Sequence, residues 1–238
     1  MKYTLRSAVS ILLLTQALGY VSSSYAGADN LAAIERAFNT KDNRYLQVLI
    51  KQSSGFDSFI AQYRLAMSYQ IKQDIDNSKK VLEQLLNSLV PYTENNPADM
   101  EAKALLANVY GLSIALNPSK AESYGPLSFS LIEQALKQAP HKPIVLFFKA
   151  SLSYYTPTMY GGSKVKAHAT LKKALNAYSG NLNSERYWGH DDALVLMGLS
   201  YLEKGKVDIA RGYWNEALLI TPEHAWANYL LQLHKNSN

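Results

Sequence analysis

The chain has 238 residues, 47% of them hydrophobic and 18% charged. That is enough apolar side chain for a substantial core and too little charge for a disordered tail. There is no cysteine, which excludes disulfides, thiolate zinc sites, cysteine nucleophiles and a lipid-modified cysteine. The 24 basic and 19 acidic residues give a formal charge of +5, and no Lys/Arg run or aromatic–basic stripe marks a nucleic-acid surface.

Residues 1–26 read as a cleaved signal peptide. Lys2 and Arg6 form its positive start, Ala8 to Leu18 its apolar stretch, and Ser24-Tyr25-Ala26 its small-x-small cleavage site. The apolar stretch is about half the ~20 residues a spanning helix needs, and no later segment is long and apolar enough to span a bilayer. The expectation is an exported, periplasmic protein with no stable membrane anchor, whose mature part carries 22 basic against 19 acidic residues. Residues 27–238 then form one domain.

In chain order, Asp29 is placed to N-cap a helix carrying Leu31, Ile34, Ala37 and Phe38. A second helix runs from about Asn43 to Gln52 and stops before Ser53-Ser54-Gly55. Helical periodicity follows in pairs. The first pair carries Leu65, Ala66 and Tyr69, then Ser78, Leu82 and Leu85, with Pro91 closing it. The next carries Leu106, Ala107 and Tyr110, then Ile132 or Leu131, Ala135 and Pro140. A third carries Phe147, Ser151 and Tyr154, then Ala167, Leu171 and Ala174. The clearest unit is 191–224: Leu194, Met197, Gly198 and Tyr201, then Ala210, Trp214, Ala217 and Pro222. Small residues at 198, 210 and 217 let two helices approach, large rings fill the space beside them, and Pro222 stops the second helix. Gly205 suits a helix C-terminus. Residues 225–234 form a lone capping helix.

These positions resemble the tetratricopeptide (TPR) pattern, which implies an all-α superhelix of helical hairpins with first helices along the concave side. The tyrosines at 69, 110, 154 and 201 recur at one repeat position and are expected to pack in the helix seams. Their spacing exceeds the usual repeat of about 34 residues, so insertions are expected around Asn117-Pro118 and Tyr124-Gly125-Pro126, and at Thr156 to Gly162. The segment Tyr154 to Ala167, with Pro157, Gly161 and Gly162, and the later Trp188-Gly189 pair are similar to a loop in exported bacterial TPR-like proteins. The likeness spans the C-terminal half; the group's role is mostly undefined. A Gly-Gly loop of this kind also occurs in the periplasmic TPR component of some tripartite solute transporters, which implies small-molecule binding.

Gly161-Gly162-Ser163-Lys164 lacks the order of a phosphate loop. It reads as a tight turn with Ser163 capping the next helix. In Trp188-Gly189-His190-Asp191-Asp192, a His beside two carboxylates is the arrangement a metal or a general base needs. Neighbouring residues do not share a helix face, however, and Asp191 or Asp192 reads better as a helix cap. No His-x-x-x-His spacing or nucleophile elbow is present, so no catalytic residue, metal or cofactor is expected. Tyr124, Tyr155, Tyr160 and Trp188, with His190, fall on insertions where no repeat position requires them. They either line a ligand or partner groove or fold back to plug the gap. The reading is a binding or scaffold module for a protein segment or envelope component. A small-ligand accessory of a periplasmic transport system is the alternative. An envelope hydrolase built on Glu185 or Asp192 with His190 is the least supported.

Overall fold

A computed structural model describes residues 30–180 and 186–235. The leader, the Asp29 cap and Glu185 lie outside the described residues. Within them are eleven α-helices and no strand. Helix α1 occupies 30–39. It is followed by α2 (Asn43–Gln52), α3 (Gly55–Ile71), α4 (Ile75–Asn95), α5 (Met100–Leu116), α6 (Ala121–Gln138), α7 (Pro143–Tyr155), α8 (Lys164–Gly180), α9 (His190–Leu202), α10 (Val207–Ile220) and α11 (Ala225–Leu233).

Local chemistry sets the boundaries. The side chains of Asp42, Asp74 and Asp99 accept hydrogen bonds from backbone N–H groups three residues on, starting α2, α4 and α5. Helices then pair as hairpins: α3 with α4, α5 with α6, α7 with α8 and α9 with α10. This is the TPR-like superhelix the residue pattern implies. The second helices bury one face only; α10 sinks just Ala210, Trp214 and Ala217. The first helices are buried more widely, and α7 is enclosed from Pro143 to Phe148.

The α9/α10 hairpin shows why the pattern has its small residues. A Cβ on Gly198 would meet Trp214 Nε1 at 2.2 Å and the Ala210 carbonyl oxygen at 2.9 Å. Trp214 is fully buried and donates from Nε1 to the Val195 carbonyl at 3.2 Å. Pro222 lies just past the end of α10, and Gly205 turns the chain with φ +70°. Of the seam tyrosines, Tyr110 is buried, and Tyr69, Tyr154 and Tyr201 are partly buried against the core.

Three expectations are corrected. Pro91 does not close its repeat but lies inside α4. It sits on the exposed face, as does Asn87, so the carbonyl it orphans can be hydrated, while Phe59 and Asp99 hold Tyr92 in place beyond it. Tyr124-Gly125-Pro126 is not an inserted loop but the early part of α6, where an exposed proline disturbs little. The cap of α9 is Gly189, at φ +83°, with no side-chain bond, rather than Asp191 or Asp192.

Helix α1 gives the array its closure. Glu35 bonds Arg64 of α3, and Asn39 Oδ1 accepts from the backbone N–H of Ala225 at the start of α11. The first helix thus joins the first hairpin to the last helix.

Candidate functional site

Two regions carry side-chain chemistry that the repeat scaffold itself does not demand. The first is buried. Arg64 lies on the core face of α3 among Ile60, Ala61, Leu65 and Ser68, and only 2% of its side chain is exposed. Its guanidinium is sandwiched between the rings of Phe38, 4.5 Å away, and Trp188, 4.9 Å away. It donates twice to Glu35, at 2.8 and 2.7 Å, and once to Asp192. Trp188 Nε1 donates to Glu35 at 2.5 Å, and His224 Nε2 lies 3.4 Å from Asp192. The Nδ1 atom of His224 accepts from the Ala227 N–H to cap α11, which places the ring proton on Nε2, toward Asp192.

This arrangement divides the charge unevenly. Burial pushes both carboxylates up. For Asp192 the Arg64 and His224 contacts prevail and hold it well below the usual carboxylate range. For Glu35, burial and the negative Asp192 outweigh Arg64 and push it up to about 7. Burial lowers His224, but its bond to Asp192 reverses that and raises it. Two carboxylates sharing one guanidinium cannot both ionise equally easily.

A neighbouring knot ties the same segment down. Arg186 grips Asp99 at the start of α5 with two bonds, at 2.7 and 2.8 Å, and stacks on Phe56. Tyr178, fully buried, donates to the Trp188 carbonyl at 2.7 Å.

The second region is exposed. Tyr155, Met159, Tyr160 and Val165 present 65%, 80%, 68% and 79% of their surface. The backbone between them is fixed. Tyr160 and Gly162 donate to the Pro157 carbonyl, Gly161 donates to Thr158, and Ser163 N–H donates to the Ser153 carbonyl at 2.7 Å. Gly161 takes φ +89°, and a Cβ on Gly162 would lie 1.7 Å from the Thr156 carbonyl oxygen. Ser163 caps α8 through Lys166 N–H at 3.2 Å. The turn-and-cap reading of this loop matches that geometry.

The aromatic residues singled out from the sequence therefore separate. Tyr155 and Tyr160 flank one exposed loop. Trp188 is 2% exposed, packed on Phe147 and Phe148, and fills the gap. Tyr124 stacks on Tyr110 from α6, with Lys120 above it. His190 stacks on Tyr178, and its Nδ1 lies 2.6 Å from the Tyr187 hydroxyl; burial lowers its pKa. Asp192 turns to Arg64 and His224 instead of His190, so the His–acid pair of the hydrolase reading is not assembled there. Asp191 accepts from Thr221 Oγ1. Among the described residues no group of three or more His, Asp or Glu gathers as metal ligands. Sequence reasoning missed Glu35, Arg64, Arg186 and His224. The available signal was Arg64, a charge at a core position of an otherwise apolar helix face.

The scaffold is a TPR-like helical repeat fold. No protein-family model matches the chain, and no curated protein matches it. Among solved structures it is similar to the HusA haemophore from Porphyromonas gingivalis, with 20% identity over 75% of this chain and 92% of that one and a TM-score of 0.57. It is also similar to a thermophilic TPR protein of Thermus thermophilus, with 16% identity over 87% of this chain and 99% of that one and a TM-score of 0.47. At 20% identity the likeness to the haemophore bears on the fold alone.

Proposed function

We propose that the protein is an exported, periplasmic binding module without catalytic chemistry, engaging a protein segment or another envelope component through the rim around residues 155–165. The carrying observation is that four large apolar side chains stand exposed within this short stretch while hydrogen bonds hold its backbone rigid. Exposed apolar groups cost solubility, and clustered ones mark contact surfaces. A preset loop lowers the ordering cost of binding.

A photo-crosslinking residue at position 160 tests the reading in cells. It should capture a specific adduct that the same residue at Asn87, on the exposed face of α4, does not. Equal labelling from both positions, or none from either, would sink it.

A second reading is a carrier of a flat apolar small molecule. The likeness to a haemophore favours it, as does the clustering of Tyr155, Met159 and Tyr160. Titration with haemin would show a saturable absorbance change that Tyr155→Ala with Tyr160→Ala removes.

A further inference from the structure

We infer that the rim and the outer face of α8 form a docking surface for an anionic lipid bilayer. This rests on the binding reading above and names the envelope component.

Helix α8 contains four lysines and no Asp or Glu. At about 100° per residue, Val165, Lys166, Ala169, Lys172, Lys173 and Asn176 fall within about 120° of one another, and all six are exposed. The buried residues Ala167, Leu171, Ala174 and Tyr178 occupy the opposite side. Lys166, Lys172 and Lys173 make no ion pair among the described residues. The apolar tip, Met159 and Tyr160, immediately precedes this face in the chain.

A second basic segment is pinned alongside. Glu203 accepts from the Tyr154 hydroxyl at 2.8 Å and pairs with Lys164, which holds the turn carrying Lys204 and Lys206 against the start of α8. Lys204, Lys172 and Lys206 lie close enough to His168 to add to the burial that lowers its pKa. Glu203 of this turn is already engaged by Lys164.

An apolar tip with tyrosines at its base and a face of lysines beside it suits one kind of partner. Met, Val and tyrosine rings enter the headgroup–acyl boundary, while ammonium groups stay at the level of anionic headgroups. Each lysine near such a surface is worth about fivefold in partitioning.

The test is flotation of the mature chain with vesicles of phosphatidylglycerol and phosphatidylcholine, beside phosphatidylcholine alone. Binding to the anionic vesicles only is expected. The Lys166→Glu, Lys172→Glu, Lys173→Glu variant should lose at least about 100-fold, and the Met159→Ser, Tyr160→Ser, Val165→Ser variant about tenfold. Circular dichroism identifies any variant that fails to fold; single substitutions at the same positions then replace it. Equal binding to both vesicle types, or anionic binding untouched by both variants, overturns the inference. No flotation alongside a specific protein adduct from position 160 also overturns it, yet leaves the binding reading standing. No flotation and no adduct removes both.

Discussion

The two aromatic segments that flank α8, 156–163 and 186–189, have opposite fates. In 186–189, Trp188 is driven inward. Its indole N–H meets Glu35, its face meets Arg64, and Phe147 and Phe148 pack around it. In 156–163 the backbone satisfies itself through hydrogen bonds and two glycines, and the side chains are left outside. An aromatic residue becomes structural where a buried polar partner waits for it. Where the loop closes on its own backbone, the ring is free to meet something else.

Substitutions sharpen this contrast. The largest effect is expected at the centre of the inward segment. Arg64→Ala strands two buried carboxylates and should cost roughly 3–5 kcal/mol, read from urea unfolding. Trp188→Ala should cost a similar or slightly smaller amount, about 3 kcal/mol, and its loss should loosen α1, seen as faster amide exchange in residues 30–39.

The polar knot should also make stability depend on pH. Glu35 is raised in the folded state, so its protonation favours folding, and stability rises as pH falls from about 7 toward its ordinary value of 4.5. His224 is raised above 6.5, so its contribution is present below that value and lost as pH rises through the folded one. Asp192 is lowered from 3.8, so its contribution is present above that value and lost as pH falls through the folded one. The unfolding midpoint should therefore be higher near pH 5 than at pH 8, and fall again in stronger acid. Glu35→Gln should flatten the slope between pH 5 and 7; an unchanged slope would mean that Glu35 is not the group responsible.

The outward segment should respond mildly. Gly161→Ala places a side chain at φ +89° and should cost about 1 kcal/mol. Tyr160→Ala should change stability by no more than about 0.5 kcal/mol while weakening partner capture. A large destabilisation by Tyr160→Ala would erase the difference between the segments.

How much of this was legible in the sequence follows from where the information lies. The α9/α10 hairpin was readable because Gly198, Ala210, Trp214 and Ala217 are local, periodic and sterically coupled. Ser163 and the glycines beside it were readable for the same reason. Pro91 and Tyr124-Gly125-Pro126 misled because a proline on an exposed helix face, or in an early turn, does not have to end the helix. The interior knot was not readable as a unit. Glu35, Arg64, Asp192 and His224 come from four separate elements, and no local spacing connects them. A lone arginine on an apolar face announces a partner without naming it. The lysine face of α8 was not legible as a run, because Lys166, Lys172 and Lys173 come together only when the segment is wound into a helix.

The bond pattern of α1 has one further consequence. A linear stack of hairpins can gain or lose a unit in mid-array, since each touches only its neighbours. Here residues 35 and 192 grip the same guanidinium from opposite ends of the stack, so the number of hairpins between them is set by geometry. Duplicating or deleting one would move Asp192 away from α3 and leave Arg64 without its full set of anions. The number of hairpins between α3 and α9 is therefore as tightly specified as the core, and diversification in length is left to the turns.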